Sequence, residues 1–323
     1  MAVGPPALAG MSGDFTAYLA APGFEDDLRV ELGEVTAEYG RLMLSPGPAR
    51  PAAWAQNIWL EPRMLEVASI GEAAKALKAI QRNWWPYEFH LHRRTALLVE
   101  KLPKVSARPL VFGQPAPAAP LGSFAWIDEG HVLAAADCSS RFPNGEAAFV
   151  EDRETPPSRA YLKLWEALTL AGQMPGPGQT CVDLGACPGG WTWVLAATGA
   201  RVISVDKAPL APNVAAMPNV EYRQGSAFGI EPAEIGPVDW LCSDVICYPE
   251  RLLRLVERWL ESGLARNFIC TLKFQGATDH AVARAFAAIP GSRLLHLAHN
   301  KHELTWMRIG DAACHPMSFG VNQ

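Results

Sequence analysis

Cysteine pairs at metal-binding spacing are missing from this chain. Its seven cysteines (138, 181, 187, 242, 247, 270 and 314) contain no Cys-x-x-Cys and no Cys/His cluster with zinc spacing, which argues against a metal site. Their number is odd and most sit in apolar, strand-like runs, so the expectation is reduced thiols in a cytoplasmic protein with no metal. No apolar run approaches about 20 residues, and the opening "MAVGPPALAGMSGDF" lacks a basic segment ahead of an apolar one. Neither a membrane span nor a secretory leader is therefore expected. An excess of positive charge is absent too: 28 Lys/Arg against 33 Asp/Glu give a net charge of −5. That excludes wholesale electrostatic binding to nucleic acid and leaves room only for a local basic patch.

What is present is enough apolar sequence for a large core. With 323 residues, 49% hydrophobic and 19% charged, the chain suits about two domains of roughly 150 residues each. Residues 1–13 are Ala/Gly/Pro-rich and are expected to be disordered. Residues 14–40 carry seven acids and one arginine, with a helical pattern from Glu25 to Tyr39. Residues 82–109 carry six Lys/Arg against two acids, with Trp84, Trp85, Tyr87 and Phe89 among or beside them. A Pro/Ala linker, "GQPAPAAPLG" (113–122), precedes strand-like "SFAWID" and "HVLAAADCS", and "TPPS" marks a seam near Pro156. This yields an N-terminal domain over 14–155 and a second domain over 156–323.

The second half alternates. A helix is expected over 159–171, then strand 181–184, helix 190–198, strands 201–205, 219–223 and 238–243, helix 249–261, strand 266–273, helix 278–288, and strands near 293–298 and 303–309. Such alternation predicts a mostly parallel sheet with helices on both faces. No internal repeat is found.

The sharpest motif is "CVDLGACPGGWTWVL" (181–195): a short buried strand, a glycine turn, then a helix. In doubly wound sheets a ligand lies beyond the carboxyl ends of the strands, and glycines let backbone approach it closely. A P-loop would need a lysine after Gly190, and a dinucleotide turn would need Gly-x-Gly-x-x-Gly; neither is present. Asp206 ends the next strand, 21 residues after Gly185, where a carboxylate could take a ribose diol. A nucleoside without a pyrophosphate fits this set, as does a plain structural turn.

"DLGACPGGWTW" (183–193) closely resembles the cofactor motif of the FtsJ-like class I methyltransferases, which bind S-adenosylmethionine and methylate ribose 2′-hydroxyls. "PPSRAYLKLWEA" (156–167), "DWLCSDV" (239–245), "CTLKF" (270–274) and "KHELTWMRI" (301–309) are similar to the segments carrying that family's catalytic residues. Within the family the chain most resembles the branch that acts on a cytidine of large-subunit ribosomal RNA, through "SVDKAPL" (204–210) and "APGFEDDL" (21–28) as well. The resemblance implies a Rossmann-like α/β sheet, mostly parallel with one antiparallel C-terminal strand, and a smaller N-terminal α+β domain of shortened RNA-binding type. It implies Lys163, Asp244, Lys273 and Glu303 as catalytic residues. It places the cofactor against Asp183, Gly185, Ala186, Cys187, Pro188, Gly189, Gly190 and Trp191 of the turn, Asp206 and Lys207 after the next strand, Ser226, and Asp244. RNA would be the partner.

The residue types suit that reaction. A ribose hydroxyl needs a base, and a lysine becomes one when a second cation and burial favour its neutral form. Lys273 stands in the apolar run "NFICTLKF", which assigns it as base, with Asp244 orienting it and Lys163 and Glu303 holding ribose and charge. Trp191 and Trp193 could stack on adenine or pack in the core. Arg93, Arg94, Lys101 and Lys104 are the candidate phosphate contacts, with the nearby aromatics stacking bases or simply packing. The sequence departs from the pattern in three places: neutral "FQGATDH" follows Lys273, Ser226 stands where an acid is frequent, and the N-terminal half is short. A methyltransferase acting on a small molecule or protein is the alternative, and an RNA-binding module with a vestigial site is a third.

Overall fold

The computed structural model describes residues 15–310; the stretch 1–13 lies outside them. The described chain forms two compact units, one of 15–108 and 117–147, the other of 109–116 and 148–310.

The first unit runs β1 (Phe15–Ala20), α1 (Glu25–Leu32), β2 (Ala37–Tyr39), β3 (Leu42–Pro46), β4 (Ala55–Leu60), β5 (Arg63–Glu66), α2 (Ile70–Ile80), β6 (Trp84–Pro86), α3 (His92–Val99), β7 (Gly122–Trp126), β8 (His131–Ala135) and β9 (Asp137–Cys138). Five strands form one sheet in the order β2-β3-β1-β4-β9 and four another, β5-β8-β7-β6. Strand alternation explains the layering. Ala125, Leu133 and Ala135 face a shared core with Leu19, Leu42 and Trp59 of the first sheet. Phe124, Trp126, Val132 and Ala134 point the other way, onto Ala73, Ala74, Leu77 and Leu98 of the helices.

The helix expected to reach Tyr39 stops at Leu32. Gly33 takes φ +76 and closes it through its N–H to Arg29 O, as glycine does at a helix end. The chain then returns as β2, paired Tyr39 to Leu42 with β3.

The second unit follows the alternation: α4 (Tyr161–Ala171), β10 (Thr180–Leu184), α5 (Gly190–Ala197), β11 (Arg201–Asp206), α6 (Pro212–Ala215), β12 (Val220–Gln224), α7 (Pro232–Ile235), β13 (Val238–Ser243), α8 (Pro249–Ser262), β14 (Ala265–Lys273), α9 (His280–Ala287), β15 (Ser292–Leu295) and β16 (Glu303–Arg308). Seven strands order as β12-β11-β10-β13-β14-β16-β15. β10 to β14 pair in parallel, and β16 runs antiparallel to both its neighbours. The fold is thus the mostly parallel α/β sheet with one antiparallel C-terminal strand. α8 shows how the helices attach: Leu252, Leu255, Val256 and Trp259 are buried on one stripe, the spacing of a helix face laid on a sheet.

Parallel pairing puts the carboxyl ends of β10, β11, β13 and β14 on one edge, and the antiparallel β16 brings its first residue there. Gly185 follows β10 at φ +81, and a Cβ on it would lie 2.5 Å from the Cβ of Val245, which follows Asp244. Gly185→Ala is therefore expected to cost about 1–3 kcal/mol in backbone strain and more in displacing Val245. Gly236→Ala is the control: its φ is +83, but its Cβ would meet nothing within 4 Å. Thermal unfolding should show a clearly larger loss for Gly185→Ala; equal losses would show that Val245 yields freely.

Candidate active site

Four ionisable side chains meet at this edge. α4 is buried over most of its length, Lys163 and Glu166 included. Asp244 is the first residue beyond β13, Lys273 the last of β14 and Glu303 the first of β16, and Lys273 pairs directly with Glu303 in the register. Lys163 Nζ donates to both carboxylate oxygens of Asp244, at 2.7 and 2.8 Å, and lies 3.1 Å from Glu303 Oε1. Lys273 Nζ donates to the Asp244 carbonyl at 2.5 Å and lies 3.2 Å from its Oδ1. Two cations and two carboxylates balance in a largely buried cluster, the condition under which charges tolerate loss of water.

The glycine turn lies beside it. Gly185 and Ala186 N–H groups both reach Val205 O, while Cys187 and Pro188 are exposed at the tip. The glycines serve the chain itself here: Cβ atoms at Gly185, Gly189 and Gly190 would meet Val245, Val214 and Ser158. Their missing Cβ atoms permit close packing of the turn against neighbouring segments, beside whatever approach they allow to a ligand. Asp206 ties the turn to β11, its carboxylate accepting from Cys187 N at 3.0 Å and Ala208 N at 2.9 Å. Lys207 is exposed and Ser226 half-buried, the latter's Oγ accepting from Phe228 N.

Asp183 is fully buried beneath the turn. Its Oδ2 accepts from Thr192 Oγ1 at 2.7 Å, and that hydroxyl lies 2.8 Å from Ser204 Oγ. Its Oδ1 has no partner among the described residues. Burial is the main reason its carboxyl is pushed up to about 7.

Two of the aromatic expectations resolve toward packing. Trp191 is buried, with its indole N–H donated to Ala160 O at 2.9 Å, so its ring braces α5 and leaves no free face for adenine. Trp193 is half-buried, edge-on to Tyr161. In the first unit, Trp84 and Tyr87 are core residues. The Trp84 indole donates to Leu77 O and Gln81 O, and the Tyr87 hydroxyl accepts from Arg41 N. Those two rings are closed to stacking with bases because they fill the unit's own core. Arg94 is engaged as well, stacked over Trp126 at 4.4 Å and donating to Glu129 O. Arg93, Lys101 and Lys104 remain exposed.

Glu166 escaped sequence reasoning. One turn beyond Lys163, its carboxylate accepts from Ala298 N at 2.8 Å and from His299 N at 3.1 Å, with His299 Nδ1 at 2.6 Å. It thereby fixes the loop leading to Glu303. The available signal was an acid on a helix that is apolar nearly all round. Among the described residues there is no group of His, Cys, Asp or Glu able to hold a metal, and no helix is long and apolar enough to cross a membrane.

Residues 156–285 match the family model described as FtsJ-like methyltransferase. A ribosomal RNA large subunit methyltransferase M from Halorhodospira halophila is 37% identical over 186 residues, 55% of this chain and 54% of its own length. The protein of the same name from Xanthomonas oryzae pv. oryzae is 37% identical over 211 residues, 62% of this chain and 56% of its own. The chain spans about half the length of these curated relatives. A solved structure titled as a ribosomal RNA methyltransferase from Plasmodium falciparum is 18% identical, covers 47% of this chain and 97% of its own, and has a TM-score of 0.37.

Asp183 generates a pH prediction. Its folded carboxyl holds a proton up to about 7, whereas an unfolded aspartate releases it near about 3.9. The stability this contributes is complete below the unfolded value and is lost as pH rises toward the folded one. Asp183→Asn lacks that loss. The midpoint temperature of Asp183→Asn minus that of the parent should therefore climb between about pH 4 and about pH 7. A difference that stays flat across this window would place the proton elsewhere.

Proposed function

We propose that this chain, whose second unit carries an FtsJ-like methyltransferase domain at residues 156–285, methylates ribose 2′-hydroxyls of RNA, with large-subunit ribosomal RNA as substrate and S-adenosylmethionine as cofactor. The observation that carries the reading is the meeting of Lys163, Asp244, Lys273 and Glu303 beside the glycine turn.

The donor set fits that cofactor. Asp206 at the end of β11 offers a carboxylate to a ribose diol, the exposed Cys187–Pro188 tip offers backbone, and Asp244 offers a carboxylate to an ammonium. The unpartnered Asp183 Oδ1 lies under the same turn, and no lysine follows Gly190 to meet a phosphate. S-adenosylmethionine supplies an activated methyl on a positively charged sulfur. Lys273 Nζ, the more exposed of the two amines, stands at the open edge and is the base in its neutral form, reached by giving up its resting proton. It would take the proton of the 2′-hydroxyl as the 2′-oxygen bonds to the methyl carbon and the carbon–sulfur bond breaks, the sulfur leaving as a neutral thioether. Asp244 orients that amine through its carbonyl, and Lys163 pins the Asp244 and Glu303 carboxylates so that neither moves as charge shifts. Most of the acceleration is then positioning.

A cytoplasmic location accords with the six cysteines that are free among the described residues. A non-RNA acceptor is the second reading, favoured by Arg94 being packed on Trp126 and by the neutral segment after Lys273.

Calorimetry with S-adenosylmethionine, and transfer of labelled methyl to an unmodified large-subunit ribosomal RNA transcript, test the proposal. Lys273→Ala should slow transfer by about 10²–10⁴-fold with cofactor affinity near normal. Lys273→Arg should be nearly as damaging, because guanidinium does not give up a proton. Full activity in the arginine variant would overturn the base assignment. Cofactor binding without transfer to the RNA would favour the second reading.

A further inference from the structure

The loop between β13 and α8, "DVICY", does more than deliver Asp244. Ile246 is 77% exposed and Tyr248 65%, the two highest values found for large apolar side chains among the described residues. Cys247 between them is buried, and burial is the main reason its thiol is pushed above the usual value, against the opposing pull of Arg251 and Lys273. The loop is thus anchored inward through Cys247, with an apolar side chain facing water on each side. The Tyr248 backbone is set by its place: it is extended at φ −67 and ψ 141, as a residue before proline prefers. Its carbonyl accepts from Arg251 N at 3.0 Å and Leu252 N at 3.3 Å, in the first turn of α8. Arg251 is exposed, its guanidinium lying 3.9 Å over the Phe228 ring.

An exposed tyrosine ring and an exposed isoleucine therefore stand within four residues of Asp244, with the Arg251 guanidinium seven residues on, at the edge where an acceptor must come to Lys273. Four residues of chain reach at most about 14 Å. Stability does not ask for such exposure, and the catalytic cluster uses neither side chain. We infer that Ile246 and Tyr248 form the seat for the base of the acceptor nucleotide: Tyr248 stacks on its face, Ile246 closes its other side, and Arg251 takes an adjoining phosphate. This rests on the RNA reading above and deepens it, because such a seat accepts a base that is single-stranded or turned out of its stack. An aromatic face is sequence-tolerant, so the seat would position the nucleotide without choosing its base.

The test uses the full chain, labelled S-adenosylmethionine and the unmodified large-subunit ribosomal RNA transcript. Tyr248→Ala should lower kcat/KM by about 5- to 150-fold, the range expected when one base loses its stacking partner. Tyr248→Phe should stay near the parent, and cofactor affinity should be the same in all three proteins. RNA affinity should fall for Tyr248→Ala with an unchanged slope against salt, since stacking releases no counterions, whereas Arg251→Ala should flatten the slope. Parental kcat/KM in Tyr248→Ala, while the parent protein methylates the transcript, would overturn the seat and leave the RNA reading standing. A parent that binds cofactor but methylates only a protein or small molecule would overturn both, and would assign the exposed pair to that acceptor.

Discussion

Everything at the working edge of the second unit depends on one buried ammonium. Lys163 lies among three carboxylate oxygens of Asp244 and Glu303 within 3.1 Å, and a charge so placed is tolerable only if its partners stay put. That condition binds three elements that are distant in sequence. α4 must present its third residue to the sheet, β13 must end immediately before Asp244, and β16 must begin at Glu303. The antiparallel pairing of β14 with β16 meets the last demand. It sets Lys273 opposite Glu303, and a slip of one residue would send each side chain to the other face of the sheet. Glu166 extends the same logic one turn along α4, holding the backbone of Ala298 and His299 so that the loop can enter β16 only at this point.

The second unit was legible in sequence because its inner strands, β10, β13 and β14 among them, are buried on both faces. Such strands read as short apolar runs punctuated by Gly and Pro, and β13 comes out at 238–243 as expected from the runs alone. Lys273 was legible for a related reason, as a charge in an otherwise apolar strand. Glu166 was not, although its setting is similar, because its partners are backbone groups more than 130 positions away that no local pattern announces. The first unit was harder. Leu28, Leu32, Val35 and Tyr39 keep a helical spacing straight through Gly33, so periodicity alone continued a helix that the glycine ends. In "RNWWPYEF" the aromatics belong to two faces of a thin sheet, which a composition count cannot separate.

Buried polar groups tell the same story from the inside. Asp183, Thr192 and Ser204 come from β10, α5 and β11 and close a small hydrogen-bonded set under the turn, while Ser243 Oγ donates to Leu184 O at 2.7 Å. Each ties one strand end to its neighbour just where the sheet stops. Hydrogen bonds in a low-dielectric interior are specific in direction, so they fix the height of the turn relative to Asp244 in a way apolar packing would not. The turn glycines complement this by letting Val245, Val214 and Ser158 approach. The result is a rigid floor and an exposed rim.

For a chain of net charge −5, any grip on a polyanion must come from where its cations stand rather than how many there are. In the second unit, Lys207, Arg251 and Lys301 are all exposed. The first follows β11, the second opens α8 after β13, and the third lies just ahead of β16. The sheet topology brings these three positions to the same edge as the cluster of Lys163, Asp244, Lys273 and Glu303. Of the acids near them, Asp206, Asp244 and Glu303 are held inward by backbone N–H groups or by Lys163, while Glu250, next to Arg251, is exposed. The sign of the field at that edge can therefore differ from the sign of the whole molecule. A phosphate backbone drawn to Lys207, Arg251 and Lys301 would come to the edge that also leaves Ile246 and Tyr248 exposed.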